Sequence, residues 1–372
     1  MKATVRDRIL LLLSIKEPGA KIDFQHIFEK VSRDVKLAIA EPDLQRELEQ
    51  MAKDGLVRVS EGVYYITDSG MKLIKTLLPE IGEDLNLSYR MVLVAKEYYG
   101  KAADYLLPFL RDRPVSIIKI FSDDADPIKK IKPLFVRYAR YKPKPVFIKI
   151  DSAESLMRYV DDHALDYVPY VHGFDMKEPS WLVLDLDAGE ELKSMEEGFL
   201  AVKFVASELA RLLRENGVQP AVKFSGSRGM QVWASLDNGK MPKGDLFALY
   251  RLLIQRLQAR LEEEIPGAQP PTALKSLVEK GLTTSSVAKK EERSQKVLID
   301  WSSMKPMGDV RAPFSIHYKT GLVSCPADPA RILQFEPSEA RPETVARDAE
   351  RLFHHFELEK SDPSLLLRAV GL

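Results

Sequence analysis

Trp181-Leu182-Val183-Leu184-Asp185-Leu186-Asp187 is the stretch on which the reading of this chain turns. The apolar run has the length and character of a buried strand, and two acids one residue apart close it. Side chains at i and i+2 of a strand point the same way, so Asp185 and Asp187 share a face. Two like charges about 4 Å apart repel by roughly 4 kcal/mol at an effective dielectric near 20. A divalent cation between them turns that cost into binding, which is the ligand pattern of a Mg²⁺ or Mn²⁺ phosphoryl-transfer site. A lone Asp-x-Asp is a weak signal, because acids at a strand end also simply face water.

The segments downstream strengthen it. Phe224-Ser225-Gly226-Ser227-Arg228-Gly229-Met230-Gln231-Val232-Trp233 reads as a hairpin, with strands over 222–225 and 230–236 and a glycine-flanked turn between them. Val297-Leu298-Ile299-Asp300 supplies a third acid after an apolar run, and Arg311-Ala312-Pro313-Phe314-Ser315-Ile316-His317-Tyr318-Lys319-Thr320-Gly321 comes next. Together these make a kit for a nucleoside triphosphate. The acids hold metal, and Gly226 and Gly229 let backbone amides approach phosphates. Arg228, Arg311, His317 and Lys319 supply positive charge to the triphosphate. His317 and Lys319, two apart on what reads as an extended segment, share a phosphate-facing side. In-line attack by a 3′-hydroxyl between two metals needs little else from a protein.

The whole chain sets bounds. Its 372 residues suggest two or three domains, and 45% hydrophobic content is ordinary for a globular protein. Lys and Arg total 55 against 55 Asp and Glu, so any nucleic-acid surface must be local. One cysteine, Cys325, excludes an intrachain disulfide and a multi-cysteine zinc site, and no base stands near it in sequence. The run from Ile9 to Leu13 is too short to span a bilayer and no cleavage site comes after it, so a cytoplasmic protein with no membrane partner is expected. There is no Walker loop and no Gly-x-Ser-x-Gly elbow. His163, His172, His354 and His355 lack metal-ligand spacing.

Periodicity divides the chain into residues 1–85 and 86–372. The first part predicts three helices, a two-stranded hairpin turning at Glu61-Gly62, and a closing helix. Thr4 caps the first helix, and the third starts near Pro42 and stops at Gly55. Residues 81–90 read as a linker or a leading helix. Beyond them strands and helices alternate, giving an α/β (α+β) chain with strands over 115–120 and 146–150 and helices over 194–215, 246–264 and 342–358. Residues 266–296 read as a flexible loop or a small helical insert. Between 129 and 149 stand Lys130, Lys132, Arg137, Arg140 and Lys142, with no acid and with Phe135, Tyr138, Tyr141 and Phe147 interleaved. Cations neutralise phosphates and aromatic faces stack on unpaired bases, so this stretch is a candidate nucleic-acid contact.

Residues 1–85 resemble the winged-helix family. The expected recognition helix, 41–54, holds five acids against Arg46 and Lys53. A phosphate-facing helix is basic, so protein docking and DNA contact both stay open for this domain. The stretches 181–236 and 300–326 resemble the archaeo-eukaryotic primase superfamily. Ser225 to Trp233 and Ala312 to Leu322 match the primase small-subunit pattern. Leu106-Leu107-Pro108-Phe109-Leu110-Arg111-Asp112-Arg113-Pro114-Val115 and Ser180 to Gly189 lean toward the polymerase domain of end-joining DNA ligases.

The resemblance, over roughly 89–350, implies a primase-polymerase core with an RNA-recognition-like sheet. It implies template-directed nucleotidyl transfer on DNA from nucleoside triphosphates, with Asp185, Asp187 and Asp300 as catalytic metal ligands. Ser225, Arg228, Gln231, Arg311, Ser315, His317 and Lys319 take the nucleotide-binding places, and repair or replication proteins are the expected partners. Two departures stand out. Gln231 occupies the place where the family's serine-turn motif usually ends in His, and Gln offers only a neutral hydrogen bond. The zinc-binding cysteines common in primase small subunits are missing. Reduced activity, or a weakened core serving nucleic-acid binding and complex assembly, is the alternative that Gln231 raises.

Overall fold

Thr4 starts the first helix as its sequence position predicts. Its hydroxyl accepts from the Asp7 amide at 3.2 Å, and the Asp7 carboxylate accepts from the Thr4 amide at 2.8 Å. This reciprocal cap satisfies donors that a helix start leaves open. The computed structural model describes residues 4–14, 21–32, 39–81, 87–120, 135–138, 140–141 and 146–372. Helix α1 (Val5–Ser14) buries Ile9, Leu10 and Leu13, and α2 (Phe24–Ser32) buries Ile27 and Val31. Helix α3 (Glu41–Lys53) buries Leu44, Leu48 and Met51, one stripe at helical spacing. Gly55, at φ +70°, ends it. Strands β1 (Val57–Ser60) and β2 (Val63–Ile66) pair antiparallel. Their turn holds Glu61 and Gly62 at positive φ, the conformation that matches the twist of a tight hairpin. Helix α4 (Asp68–Ile81) is next, and α5 (Leu87–Leu106) begins inside the stretch expected as a linker or a leading helix.

The chain divides into two compact units. One holds Met1–Gly100, Ile118–Arg137 and Glu154–Leu165, and the other holds Lys101–Ile117, Tyr138–Ala153 and Asp166–Leu372. The chain passes between them several times, so neither unit is one continuous stretch, whereas a division at 85/86 supposes a single crossing. Strand β3 (Val115–Ile120) forms where expected. Strands β4 (Phe135–Tyr138) and β5 (Arg140–Tyr141) come after it, and β6 (Val146–Phe147) is shorter than the apolar run suggested. Helix α6 (Ala153–Asp161) leads to β7 (Ala164–Pro169), every residue of which is buried.

The second unit carries the main sheet. Its strands are β8 (Leu182–Ala188), β9 (Pro220–Phe224) and β10 (Met230–Leu236), with α7 (Gly198–Glu215) between β8 and β9. Helix α8 (Leu246–Glu264) starts on Asp245, whose carboxylate accepts from the amides of Phe247 and Ala248. Helix α9 (Lys275–Glu279), β11 (Thr283–Ser285), α10 (Lys290–Arg293) and β12 (Val297–Asp300) come next. The sheet runs β11-β12-β8-β10-β13, with β9 also on β10 and β13 being Lys360–Ser361. Residues 266–296 are therefore not a loose loop. They carry the short helices of an insert, and also an edge strand whose backbone pairs with β12.

The expected helix over 342–358 is two short helices, α11 (Pro342–Arg347) and α12 (Ala349–His354). Asp348 separates them, accepting through its carboxylate from Arg347 and Arg351. A short helix α13 (Ser364–Ala369) ends the described secondary structure.

Helix α7 lies across β8, β9 and β10, with the ring of Phe199 edge-on to Phe224 at 5.7 Å. Alternation then gives that face Leu184, Leu186, Val222, Phe224 and Val232, all fully buried. The opposite face carries Val183, Trp233 and Ala221 in one row. Trp233 is packed there between Trp181 at 4.9 Å and Phe356 at 5.6 Å. The next row of that face is polar. Among the described residues no helix is long and apolar enough to cross a membrane.

Candidate active site

Register, which no local pattern reveals, assembles the polar row. Asp300 stands opposite Asp185, Asp185 opposite Gln231, and Gln231 opposite Lys223. Directly opposed residues of neighbouring strands project from the same face, so these four side chains form one line across β12, β8, β10 and β9. Asp187 lies one row on, opposite Leu298. The protein packed round Asp185 and the nearby Asp187 charge push its carboxyl up to about 7. Asp187, although its side chain is exposed, is also raised, by partial desolvation first and by Asp300, with Arg228 pulling the other way. Among the described residues, no three His, Cys, Asp or Glu side chains gather closely enough to form a metal-ligand set as they stand. Asp300 is held instead by serines: Ser286 Oγ donates to it at 3.0 Å, and the amide and hydroxyl of Ser302 donate at 2.8 and 3.0 Å.

Gln231 is buried and both ends of its amide are engaged. Its Oε1 accepts from Trp233 Nε1 at 3.0 Å, and its amide hydrogen-bonds to Asp185. It buttresses an acid. Lys223, with no exposed surface, donates to Ser324 Oγ at 2.5 Å. Burial, with Arg311 nearby, pushes its ammonium down to about 7 against the pull of Asp185 and Asp166.

The serine turn is closed on itself. The Ser225 amide donates to the Gly229 carbonyl at 2.9 Å, and Ser225 Oγ accepts from the amides of Gly229 at 3.1 Å and Ser227 at 3.4 Å. Both glycines are sterically required. Gly226 has φ +89°, and a Cβ there would lie 2.8 Å from His317 Cβ. A Cβ on Gly229 would come within 2.5 Å of the Leu186 carbonyl and 2.8 Å of Asp187 Oδ1. The turn thus sits directly against the second acid. Arg228, at its tip, is exposed.

Arg311 does not reach outward. It grips the fully buried Asp166 through Nε, at 2.9 and 3.0 Å, and through Nη2 at 2.8 Å, and its Nη1 donates to the Ser225 carbonyl at 3.1 Å. Ser315, also without exposed surface, donates to Asp166 at 3.1 Å and accepts from the Tyr167 amide at 2.7 Å. Phe314, at φ +65°, holds a backbone conformation that few side chains adopt. It reverses the chain so that Ser315 meets β7. Asp166 is therefore the hub that ties β7, the serine turn and the 311–318 segment together.

His317 and Lys319 do not lie on an extended segment. Residues 318–320 turn tightly, and His317 Nδ1 accepts from the amides of Lys319 at 3.2 Å and Thr320 at 3.4 Å. The ring caps its own turn because the chain must reverse at Gly321, φ +72°. With Nδ1 accepting, Nε2 carries the ring's proton. Burial, helped by Arg311, pushes His317 down to about 4, so it is a neutral donor and not the cation expected. Lys319 is exposed, with Nζ 5.5 Å from the Tyr318 ring centre.

Asp166 and Lys223 were missed by sequence reasoning. Each is a charged residue inside an otherwise apolar strand, and that isolation was the available signal. Of the basic stretch, Arg137 is exposed on β4. Lys130, Lys132 and Lys142 lie outside the described residues, as does the side chain of Arg140.

The chain has relatives among known proteins. The LigD primase-polymerase domain family matches residues 94–354. The bifunctional non-homologous end joining protein LigD of Bacillus subtilis (strain 168) is 28% identical over 145 residues. That match takes in 38% of this chain and 23% of the relative, so the chain spans under a quarter of that protein's length. Among solved structures, the polymerase domain of Mycobacterium tuberculosis ligase D in complex with DNA superposes with a TM-score of 0.52 at 22% identity. The superposition covers 70% of this chain and 91% of that one, and it establishes a shared mixed helix-and-sheet fold. The acid-ended strand, the serine turn and the segment after Asp300 all fall inside the matched region, and the chain belongs to the LigD primase-polymerase domain family.

Proposed function

We propose that this chain is a template-directed nucleotidyltransferase that adds nucleotides to DNA strand ends in end-joining repair. The observation that carries this reading is the acid row, with Asp185 facing Asp300 across the sheet and Asp187 abutting the glycine of the serine turn. Family membership supports the chemistry. The end-joining role of the Bacillus relative supports repair over replication, and the DNA in the Mycobacterium structure supports the substrate.

Asp185, Asp187 and Asp300 are the residues that would hold Mg²⁺ or Mn²⁺. Two raised carboxyls side by side on one face are a donor set that a divalent cation stabilises, since it favours the charged forms that burial opposes. When bound, such ions neutralise charge developing on the transferred phosphoryl group and activate the attacking hydroxyl. The protein's own residues then divide the remaining work. Arg228 and Lys319 offer positive charge to the triphosphate, and His317 offers a neutral Nε2–H. Ser225, Gln231, Arg311 and Ser315 shape the surface on which the nucleotide lies. The N-terminal unit is read as a winged helix, from its three helices, hairpin and closing helix. On α3, Arg46 is paired with Asp43, so docking on another repair protein suits that helix better than contact with phosphates.

The test is incorporation of single nucleotides on a primed template, with Mg²⁺ and with Mn²⁺, by the full chain and by Asp185→Ala and Asp300→Ala. Loss of at least ~100-fold in both variants is expected, the scale seen when one transition-state electrostatic contact is removed. Equal, marginal extension by all three proteins favours the second reading, a weakened core that binds nucleic acid. Gln231 favours that second reading, because it is buried, its amide is already engaged by Trp233 and Asp185, and it brings no positive charge to a phosphate.

A further inference from the structure

Beyond Asp187 the end of β8 opens into a cavity of about 260 Å³ whose lining includes Gly189, Lys193, Lys290, Arg293, Ser294 and Leu298. Its walls are two loops fastened to each other. The Gly189 amide donates to the Lys296 carbonyl at 2.8 Å and the Leu192 amide to the Ser294 carbonyl at 3.0 Å. Ser294 Oγ and Gln295 Nε2 donate to Glu191 at 2.9 and 2.6 Å. A Cβ on Gly189 would fall 1.9 Å from the Arg293 carbonyl oxygen, so only glycine permits this approach.

The lining carries three cations, Lys193, Lys290 and Arg293, against one acid, Glu190. Lys193 and Arg293 have no carboxylate partner among the described residues. Arg293 gives Nη1 to the Ser286 carbonyl at 2.6 Å, while its Nε meets no acceptor. Lys290 stands 3.8 Å from Glu190 with both side chains largely in water, a weak pairing. Leu298, on the cavity's wall, is the register partner of Asp187. Asp187 thus stands between two cation-bearing places: the serine turn toward β10, and this cavity toward β12.

We propose that the cavity beside Asp187 is a second phosphate subsite, holding a phosphodiester of the strand to be extended while the serine turn holds the incoming triphosphate. The inference rests on the nucleotidyltransferase reading for its ligands, but it is tested by binding alone. Fluorescently labelled primer–template is titrated with the full chain, and with Lys193→Glu/Lys290→Glu and Arg293→Gln, over a series of salt concentrations. Nucleotide binding is measured separately by calorimetry, with thermal melting as the folding control.

Weaker duplex binding by the charge-reversed protein is expected, with a salt slope lower by ~1 for each phosphate no longer neutralised and with nucleotide affinity unchanged. Weaker nucleotide binding at unchanged duplex affinity keeps the phosphate subsite and assigns it to the triphosphate, overturning the strand assignment. Unchanged affinity for both, in folded protein, overturns the subsite. Failure of the wild type to incorporate nucleotides counts against the activity and leaves these binding outcomes to judge the cavity.

Discussion

Two groups of basic residues surround the acid row, and they differ in what they touch. The inner group, Lys223, Arg311 and His317, is buried, and each member is committed within the protein. Lys223 is bonded to Ser324, Arg311 is gripped by Asp166, and His317 caps its own turn as a neutral ring. The outer group, Arg228 and Lys319, is exposed, and neither has an ion pair among the described residues. Sequence places Arg311, His317 and Lys319 in one motif, as if they were equivalent. The fold separates them: under the proposed function, the inner group fixes the shape of the phosphate-binding surface and the outer group carries its charge.

The comparison breaks first at Asp166. Asp166→Asn removes the carboxylate that three donors of Arg311 and Ser315 share, leaving a buried guanidinium without its counter-charge. Breaking one partner of a buried pair costs about 3–5 kcal/mol. A clear loss of midpoint in urea unfolding is therefore expected. The paired substitution Asp166→Leu with Arg311→Met should recover most of it, because buried ion pairs are often replaceable by apolar groups of similar volume. An Asp166→Asn protein as stable as wild type would mean that the inner group is not scaffolding.

The outer group should behave in the opposite way. Arg228→Ala and Lys319→Ala are expected to leave stability within about 0.5 kcal/mol of wild type, as for exposed positions generally. Each should weaken nucleotide affinity by ~1.5–3 kcal/mol, the worth of a hydrogen bond to a charged group. Calorimetry on the folded variants separates the two groups, and a variant that loses stability but not affinity belongs with the inner one.

How far the sequence reveals this division depends on the residue. Alternation along β8 is a local property, so the shared face of Asp185 and Asp187 is readable from seven residues. The same holds for the hairpin around Gly226 and Gly229, where turn chemistry is local. Register is not local. That Asp185 meets Gln231 on one side and Asp300 on the other is decided by pairing between strands far apart in the chain. Asp166 and Lys223 were hidden because an acid or a lysine within an apolar strand looks like an exception until its partner is known. Arg311 lies 145 residues from Asp166. The His317–Lys319 pair misled for a related reason. Two-residue spacing means a shared side only in extended chain, and the turn at 318–320 removes that condition. The helix expected over 342–358 failed because apolar periodicity continues through Asp348, whose side chain is drawn to Arg347 and Arg351.

The smallest expected effect concerns His317, whose neutrality is what places it in the inner group. Its ordinary pKa is 6.5, and in the folded protein burial pushes it down to about 4. Between those values the unfolded chain takes up a proton that the native ring refuses. Stability therefore rises with pH across this window: the contribution is complete above the unfolded value and is lost as pH falls toward 4. Asp185 works the other way. Its folded value of about 7 lies above the ordinary 3.8, so its native form binds the extra proton and stability declines as pH rises between the two. The windows overlap, and the wild-type profile alone would blend them. The difference between wild type and His317→Gln cancels the Asp185 contribution and leaves that of His317. Measured without divalent cation, the stability advantage of wild type over His317→Gln should be larger near pH 7.5 than near pH 4.5. An advantage independent of pH would mean that the ring titrates as it does in the unfolded chain, which would remove His317 from the inner group.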